Sequence, residues 1–254
     1  MLLKLFGMAA AHIADWFTDN SDSLGEYGER LTERKLRLVG MFGREGKILK
    51  NIYVPKDDGT TSEIDLIYIT QKGIFVLESK NYSGVIYGSS EYQYWLQILP
   101  DGVSKRFYNP VRQNQTHVKW LKHALNRKIP MFSFIVFSER CELRKIEFDE
   151  KNVHVMKRDD LYAEVSRVWD KKPDVLSKKE IREIYNTLEP LTHPKKSVKR
   201  AHIEAIEQRK RNDGICPYCG AELVLRTAKK GRNAGRQFYG CSAFPKCRYT
   251  RDIE

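Results

Sequence analysis

Asp65, Glu78 and Lys80 stand in stretches that otherwise read as buried strands. The runs Glu63-Ile64-Asp65-Leu66-Ile67-Tyr68-Ile69-Thr70 and Gly73-Ile74-Phe75-Val76-Leu77-Glu78-Ser79-Lys80-Asn81 are rich in β-branched and aromatic residues, with Gln71-Lys72-Gly73 as a tight turn between them. Strands this apolar belong in the middle of a sheet, covered on both faces. An unpaired carboxylate there is expensive to bury, so something must compensate it. Glu78 and Lys80, two residues apart, share one face. Acids on neighbouring strands with a lysine beside them suit metal-dependent phosphodiester hydrolysis, in which carboxylate-held Mg²⁺ (or Mn²⁺) neutralises charge and activates water. On that reading Asp65, Glu78 and the backbone carbonyl of Ser79 hold the ion. Lys80 orients the attacking water or stabilises the transition state, and Glu29, from a preceding helix, contacts the ion or a water on it. The plainer reading is a strand emerging into solvent with ordinary ion pairs.

Gln113 and His117 are four apart and share a helical face. A glutamine can hold a base or phosphate, and a histidine can bind phosphate or shuttle a proton. A satisfied, partly buried histidine is the simpler alternative.

Cys216, Cys219, Cys241 and Cys247 crowd the last 40 residues, and Cys141 stands alone. Four thiolates at this spacing favour a closed tetrahedral zinc site, structural rather than catalytic. A segment with so little core needs that staple. The clustering suits a reducing, cytoplasmic setting better than a disulfide framework.

The elements that must position these groups can be read in order. Leu24 to Leu38 has helical apolar spacing, Ile48 to Val54 a strand pattern, and the two acid-bearing strands follow. Val85 to Tyr87 and Tyr94 to Leu99 form a hairpin. Asn109-Pro110 opens a helix through Leu125. Phe132 to Phe137 and Asn152 to Met156 are strands, and Asp159 to Trp169 and Ser177 to Leu188 are helices. The fold class is therefore α/β, a mixed sheet flanked by helices, with a small ribbon after it. The domains expected are an N-terminal apolar segment over 1–21, a catalytic-type domain with a helical extension over 22–189, a basic linker over 190–213 with a short helix near Ile203 and Ile206, and the four-cysteine ribbon over 214–254. Leu2 to Phe17 is open to three readings: a packed amphipathic helix, a membrane-surface anchor, or a cleaved signal.

The 254 residues carry a net charge of +12, unevenly placed. Residues 190–254 hold 15 Lys and Arg against six Asp and Glu, leaving a surplus of only three positive charges before them. The tail thus asks for a polyanionic partner. No run reaches the length needed to span a bilayer.

The motifs Gly28-Glu29, Glu63-Ile64-Asp65, Gly73 to Asn81, Gly84, Trp95 and Asn109-Pro110-Val111-Arg112-Gln113-Asn114-Gln115-Thr116-His117, spread over roughly residues 22–140, resemble the nuclease-related domain, NERD. The resemblance implies a restriction-endonuclease-like fold of the PD-(D/E)xK superfamily and Mg²⁺-dependent cleavage. Glu29, Asp65, Glu78 and Lys80 fall on the family's active-site positions, and Gln113 and His117 on its helical motif. Glu26, in Gly25-Glu26, competes for the place of Glu29, and Leu66 stands where many members carry histidine. The tail, Cys216-Pro217-Tyr218-Cys219-Gly220 with Phe238-Tyr239-Gly240-Cys241 and Phe244-Pro245-Lys246-Cys247, resembles the zinc ribbons of bacterial type IA topoisomerases, which bind single-stranded DNA. Here Arg226, Lys229, Lys230, Arg232, Arg236, Lys246 and Arg248 interleave with Phe238, Tyr239, Phe244 and Tyr249. That mix suits backbone contacts combined with base stacking on DNA or RNA. The expectation is a DNA nuclease delivered by its ribbon; the alternative is an inactive nucleic-acid-binding adaptor.

Overall fold

The computed structural model describes residues 21–212, 214–216, 221–230 and 233–253, with side chains described over 24–208 and in the ribbon. The expectations for Leu2 to Phe17, and those for Cys219 and Arg232, lie outside the described residues.

Helix α1 (Ser21–Met41) leads into strands β1 (Gly46–Pro55), β2 (Thr61–Thr70) and β3 (Gly73–Lys80). Then come β4 (Gly84–Ser89), β5 (Tyr94–Ile98), β6 (Ser104–Tyr108), helix α2 (Pro110–Leu125), β7 (Met131–Phe137), β8 (Cys141–Glu147) and β9 (Val153–Lys157). A 3₁₀ turn, Arg158–Asp160, precedes α3 (Leu161–Lys171) and α4 (Lys178–Leu188), and a second, Glu189–Thr192, precedes α5 (Lys196–Asn212). The ribbon holds β10 (Leu223–Thr227), β11 (Gln237–Cys241) and β12 (Thr250–Asp252).

The main sheet runs β1-β2-β3-β7-β9, antiparallel up to β3 and parallel from β3 through β7 to β9. β3 is buried from Gly73 to Glu78 because helices cover both faces. On one face Leu36 and Val39 of α1 and Leu161, Val165 and Val168 of α3 pack on Leu66, Tyr68, Phe75 and Leu77. On the other, Leu121 and Leu125 of α2 and Ile184 and Leu188 of α4 pack on Ile67, Ile69, Ile74 and Val76. The β2–β3 turn is fixed by Gly73, whose φ is 125° and whose place leaves no room for a Cβ, which would fall 2.3 Å from the Pro130 carbonyl oxygen. The start of α2 follows from its sequence: Pro110 sits in the first turn, and the Asn109 side chain accepts from the amides of Val111 and Arg112.

A second sheet, β6-β5-β4-β8, stacks Trp95 and Ile86 against Ile135 and Phe137 of the first. Strands β6 and β8 go beyond the sequence expectation. β6, Ser-Lys-Arg-Phe-Tyr, is a polar edge strand, and β8 alternates charged residues with Cys141, Leu143 and Ile146. Residues 196–212, expected as linker with a short helix, form the 17-residue helix α5. No helix among the described residues is long and apolar enough to cross a membrane.

Candidate active site and cysteine ribbon

The site forms where the β2–β3 ladder ends and the β1–β2 ladder skips one residue. The β2–β3 ladder starts at Leu66↔Leu77, and the β1–β2 ladder pairs Lys50↔Leu66 and Ile52↔Ile64 but not Asn51 with Asp65. Asn51 has φ 52°, a left-handed conformation that asparagine tolerates better than most residues. Asp65 is thus paired in neither ladder, and its Oδ2 accepts the Ser79 amide at 2.7 Å in place of a backbone carbonyl.

Glu78 and Lys80 follow Val76 onto the α2 face, in line with strand alternation. Glu78 is 1% exposed. Its Oε1 lies 2.7 Å from Lys80 Nζ and its Oε2 3.1 Å from His117 Nε2. Lys80 Nζ also donates to Gln113 Oε1 at 3.1 Å. A carboxylate only accepts, so His117 Nε2 carries a proton and donates to Glu78, while Ser62 Oγ meets Nδ1 at 2.7 Å. The structure therefore brings Asp65, Glu78, Lys80, Gln113 and His117 together.

Glu29 reaches the cluster from α1. Burial, followed by repulsion from Glu63 and Glu78, pushes its carboxyl up to about 7. Glu26 is exposed, so Glu29 is the helix acid facing the cluster. Burial, then Glu78 and Glu29, holds the Asp65 carboxyl well above the usual range. Burial also works against ionised Glu78, but Lys80 and then His117 outweigh it and keep that carboxyl low. Lys80 stays protonated because Glu78 above all offsets its burial. Negative charge thus exceeds what Lys80 offsets, and the donors are all oxygens, the set a hard divalent cation takes. Both Glu78 oxygens already meet Lys80 or His117, so an ion there would use their remaining lone pairs.

Sequence reading missed several neighbours. Glu63 accepts from Tyr53 Oη at 2.5 Å and pairs with His202 Nε2 at 3.3 Å; these contacts outweigh burial and hold its carboxyl low. His202, from α5, also meets Thr61 Oγ1 at 2.9 Å. Thr32 bonds Ser79, Ser62 bonds His117, and Arg158 bonds Thr32. Only Asn51 carried a local cue, an asparagine where the backbone turns left-handed.

In the ribbon the sulfurs of Cys216, Cys241 and Cys247 lie within 4.8 Å of one another, with Cys216 and Cys247 at 3.7 Å. They form the one such donor cluster among the described residues. Converging soft thiolates fit structural zinc. Lys229, Lys230, Arg236, Phe244, Lys246 and Arg248 are exposed, while Arg226, Phe238, Tyr239 and Tyr249 are half-buried. Arg226 stacks over the Phe244 ring at 5.7 Å and Arg251 over Tyr239 at 5.1 Å. The basic loop closes as a hairpin, Ala228 N–H donating to Arg236 O at 2.9 Å.

Comparison with known proteins gives two separate matches. Residues 24–138 match the nuclease-related domain, and residues 213–254 match the topoisomerase DNA binding C4 zinc finger. An uncharacterized protein of Bacillus anthracis is 28% identical over 209 residues, which cover 82% of this chain and 92% of that one. DNA topoisomerase 1 of Methanocaldococcus jannaschii is 50% identical over 44 residues, 17% of this chain and 5% of its own length. The uncharacterized protein YrdD of Escherichia coli is 48% identical over 44 residues, 17% of this chain and 22% of its own. The chain therefore spans only a small part of the last two. No solved structure matches.

Proposed function

From a nuclease-related domain that gathers two acids and a lysine at one strand end, we propose a divalent-metal-dependent nuclease whose zinc ribbon binds DNA and delivers it to the site. The observation that carries this reading is the Asp65 carboxylate, clamped to the Ser79 amide beside the buried Glu78–Lys80 pair. Asp65, Glu78 and the Ser79 carbonyl are the groups that would hold Mg²⁺ or Mn²⁺. The chemistry such an ion would supply is neutralisation of phosphoryl charge and a lower pKa for attacking water. Lys80, held by Glu78 and Gln113, keeps its ammonium aimed at the reacting phosphate and offsets the charge that develops on it. His117, locked between Ser62 and Glu78, fixes the Glu78 carboxylate. Glu29, with a carboxyl near 7, can take or give a proton at neutral pH.

The ribbon offers cations for the phosphate backbone and Phe238, Tyr239 and Phe244 for bases, a pairing suited to single strands. Its thiols suit a reducing, cytoplasmic setting. The retention of both acids and the lysine favours an active enzyme over an inactive adaptor.

The test is incubation of purified protein with single- and double-stranded DNA plus Mg²⁺ or Mn²⁺, alongside Asp65→Asn and Lys80→Ala. Cleavage by wild type and its loss in both variants is expected. Equal, intact substrate in all three removes the catalytic reading.

A further inference from the structure

Among the described residues, Arg158 is the one arginine without exposed surface. It lies in the turn after β9, beyond the end of the nuclease-related match at residue 138. A guanidinium cannot shed its charge, so burying one is costly unless it is well paired. Nη1 donates to Glu139 Oε2 at 2.7 Å and Nε to Thr32 Oγ1 at 3.1 Å, while Nη2 finds no partner. The Thr32 bond leads to the site.

The Thr32 hydroxyl has one proton, and it goes to the Gly28 carbonyl oxygen at 3.0 Å. Its lone pairs therefore accept, one from Arg158 Nε and the other from Ser79 Oγ at 3.0 Å, so the Ser79 hydroxyl is the donor. Ser79 also gives its amide to Asp65. A continuous chain thus runs from Glu139 through Arg158, Thr32 and Ser79 to Asp65, with a branch to the α1 turn that carries Glu29. The close fit of α1 on the end of β3 supports this clamp: a Cβ on Gly28 would fall 2.7 Å from Asn81 Cβ, and Asn81 Nδ2 donates to Leu24 O at 2.6 Å.

We propose that Arg158 is a positioning residue which, through Thr32 and Ser79, sets Glu29 against Asp65, Glu78 and Lys80. Its catalytic consequence rests on the nuclease reading above; the geometry it sets does not.

Three variants of the full chain test it: Thr32→Val, which keeps the shape and loses the hydroxyl, Thr32→Ser, which keeps the hydroxyl, and Arg158→Lys. The readouts are the Ser79 amide proton shift without metal, kcat and KM for an oligonucleotide with Mn²⁺, and the melting temperature. Thr32→Val and Arg158→Lys are expected to move the Ser79 amide and to lower kcat by about 10- to 100-fold at little-changed KM, the scale of a misplacement near 1 Å. Thr32→Ser should stay within about twofold of wild type, since its hydroxyl can keep all three bonds. A Thr32→Val chain that melts earlier but keeps its Ser79 amide and kcat overturns the proposal, as does Thr32→Ser failing as badly as Thr32→Val. If wild type cuts nothing, the nuclease reading falls, and the Ser79 amide alone decides whether the relay sets the geometry.

Discussion

Lys80→Met removes an ammonium and keeps most of the side chain's length, and its first effect is on Glu78 rather than on substrate. Glu78 is almost wholly buried, and its charge rests on Lys80 at 2.7 Å and His117 at 3.1 Å. Deleting one partner of a buried pair costs roughly 3–5 kcal/mol, because the other charge is left stranded. His117 remains and the carboxyl can take up a proton, so the lower end, about 3 kcal/mol at pH 7, is expected. That is about a hundredfold in the folding equilibrium. In wild type the Glu78 carboxyl lies below its ordinary value of 4.5, so its contribution is present above that pH and fades as the pH falls through the folded value. In the variant burial dominates and the folded pKa rises, so protonation recovers stability at higher pH. The gap between the two proteins should therefore shrink from pH 7 towards pH 4. Urea unfolding in EDTA at several pH values, with the slope compared to exclude a changed unfolded state, measures it. A Lys80→Met/Glu78→Gln double variant should regain most of the loss, having no stranded charge. A single-variant loss under about 1 kcal/mol at pH 7, or a gap that widens in acid, refutes the argument.

Three further outcomes are expected. Glu29 has a folded pKa near 7 against an ordinary 4.5, so the folded state holds the extra proton and stability falls as pH rises between those values; Glu29→Gln should flatten that slope in metal-free thermal melts. Cys241→Ser, or chelation, should remove one tightly held zinc per chain and with it the salt-sensitive DNA affinity, read by zinc analysis and fluorescence anisotropy. His202 is 7% exposed and sits on a helix whose other described side chains are exposed or half-buried, so His202→Ala should speed hydrogen exchange across α5 by about tenfold or more.

The parts of this molecule written in short-range pattern were readable from the chain. The β2–β3 pair shows as two apolar runs around a turn, and Asp65, Glu78 and Lys80 stand out in them because charge is costly there. Asn109-Pro110 announces α2, and four-residue spacing puts Gln113 and His117 on one face. What stayed hidden depends on partners far apart in sequence. Arg158 meets Thr32 across 126 residues and His202 meets Thr61 across 141, separations that leave no periodicity to read. β6 and β8 were obscured because edge strands of a small sheet need few apolar residues. α5 was obscured by its charge: its inward face is only Val198, His202, Ala205 and Ile206 amid lysines, arginines and acids.

In the proposed nuclease, Asp65 and Glu78 would hold a divalent ion and Lys80 would face the phosphodiester. The most direct measurement is a crystal structure of the full chain with Mn²⁺ and a short, uncleavable oligonucleotide, using anomalous scattering to locate the ion. The expected result is an ion held by Asp65 and Glu78, with a phosphate oxygen in hydrogen-bond contact with Lys80 Nζ. An oligonucleotide held on the ribbon alone, with no ion between those carboxylates at saturating Mn²⁺, would contradict it.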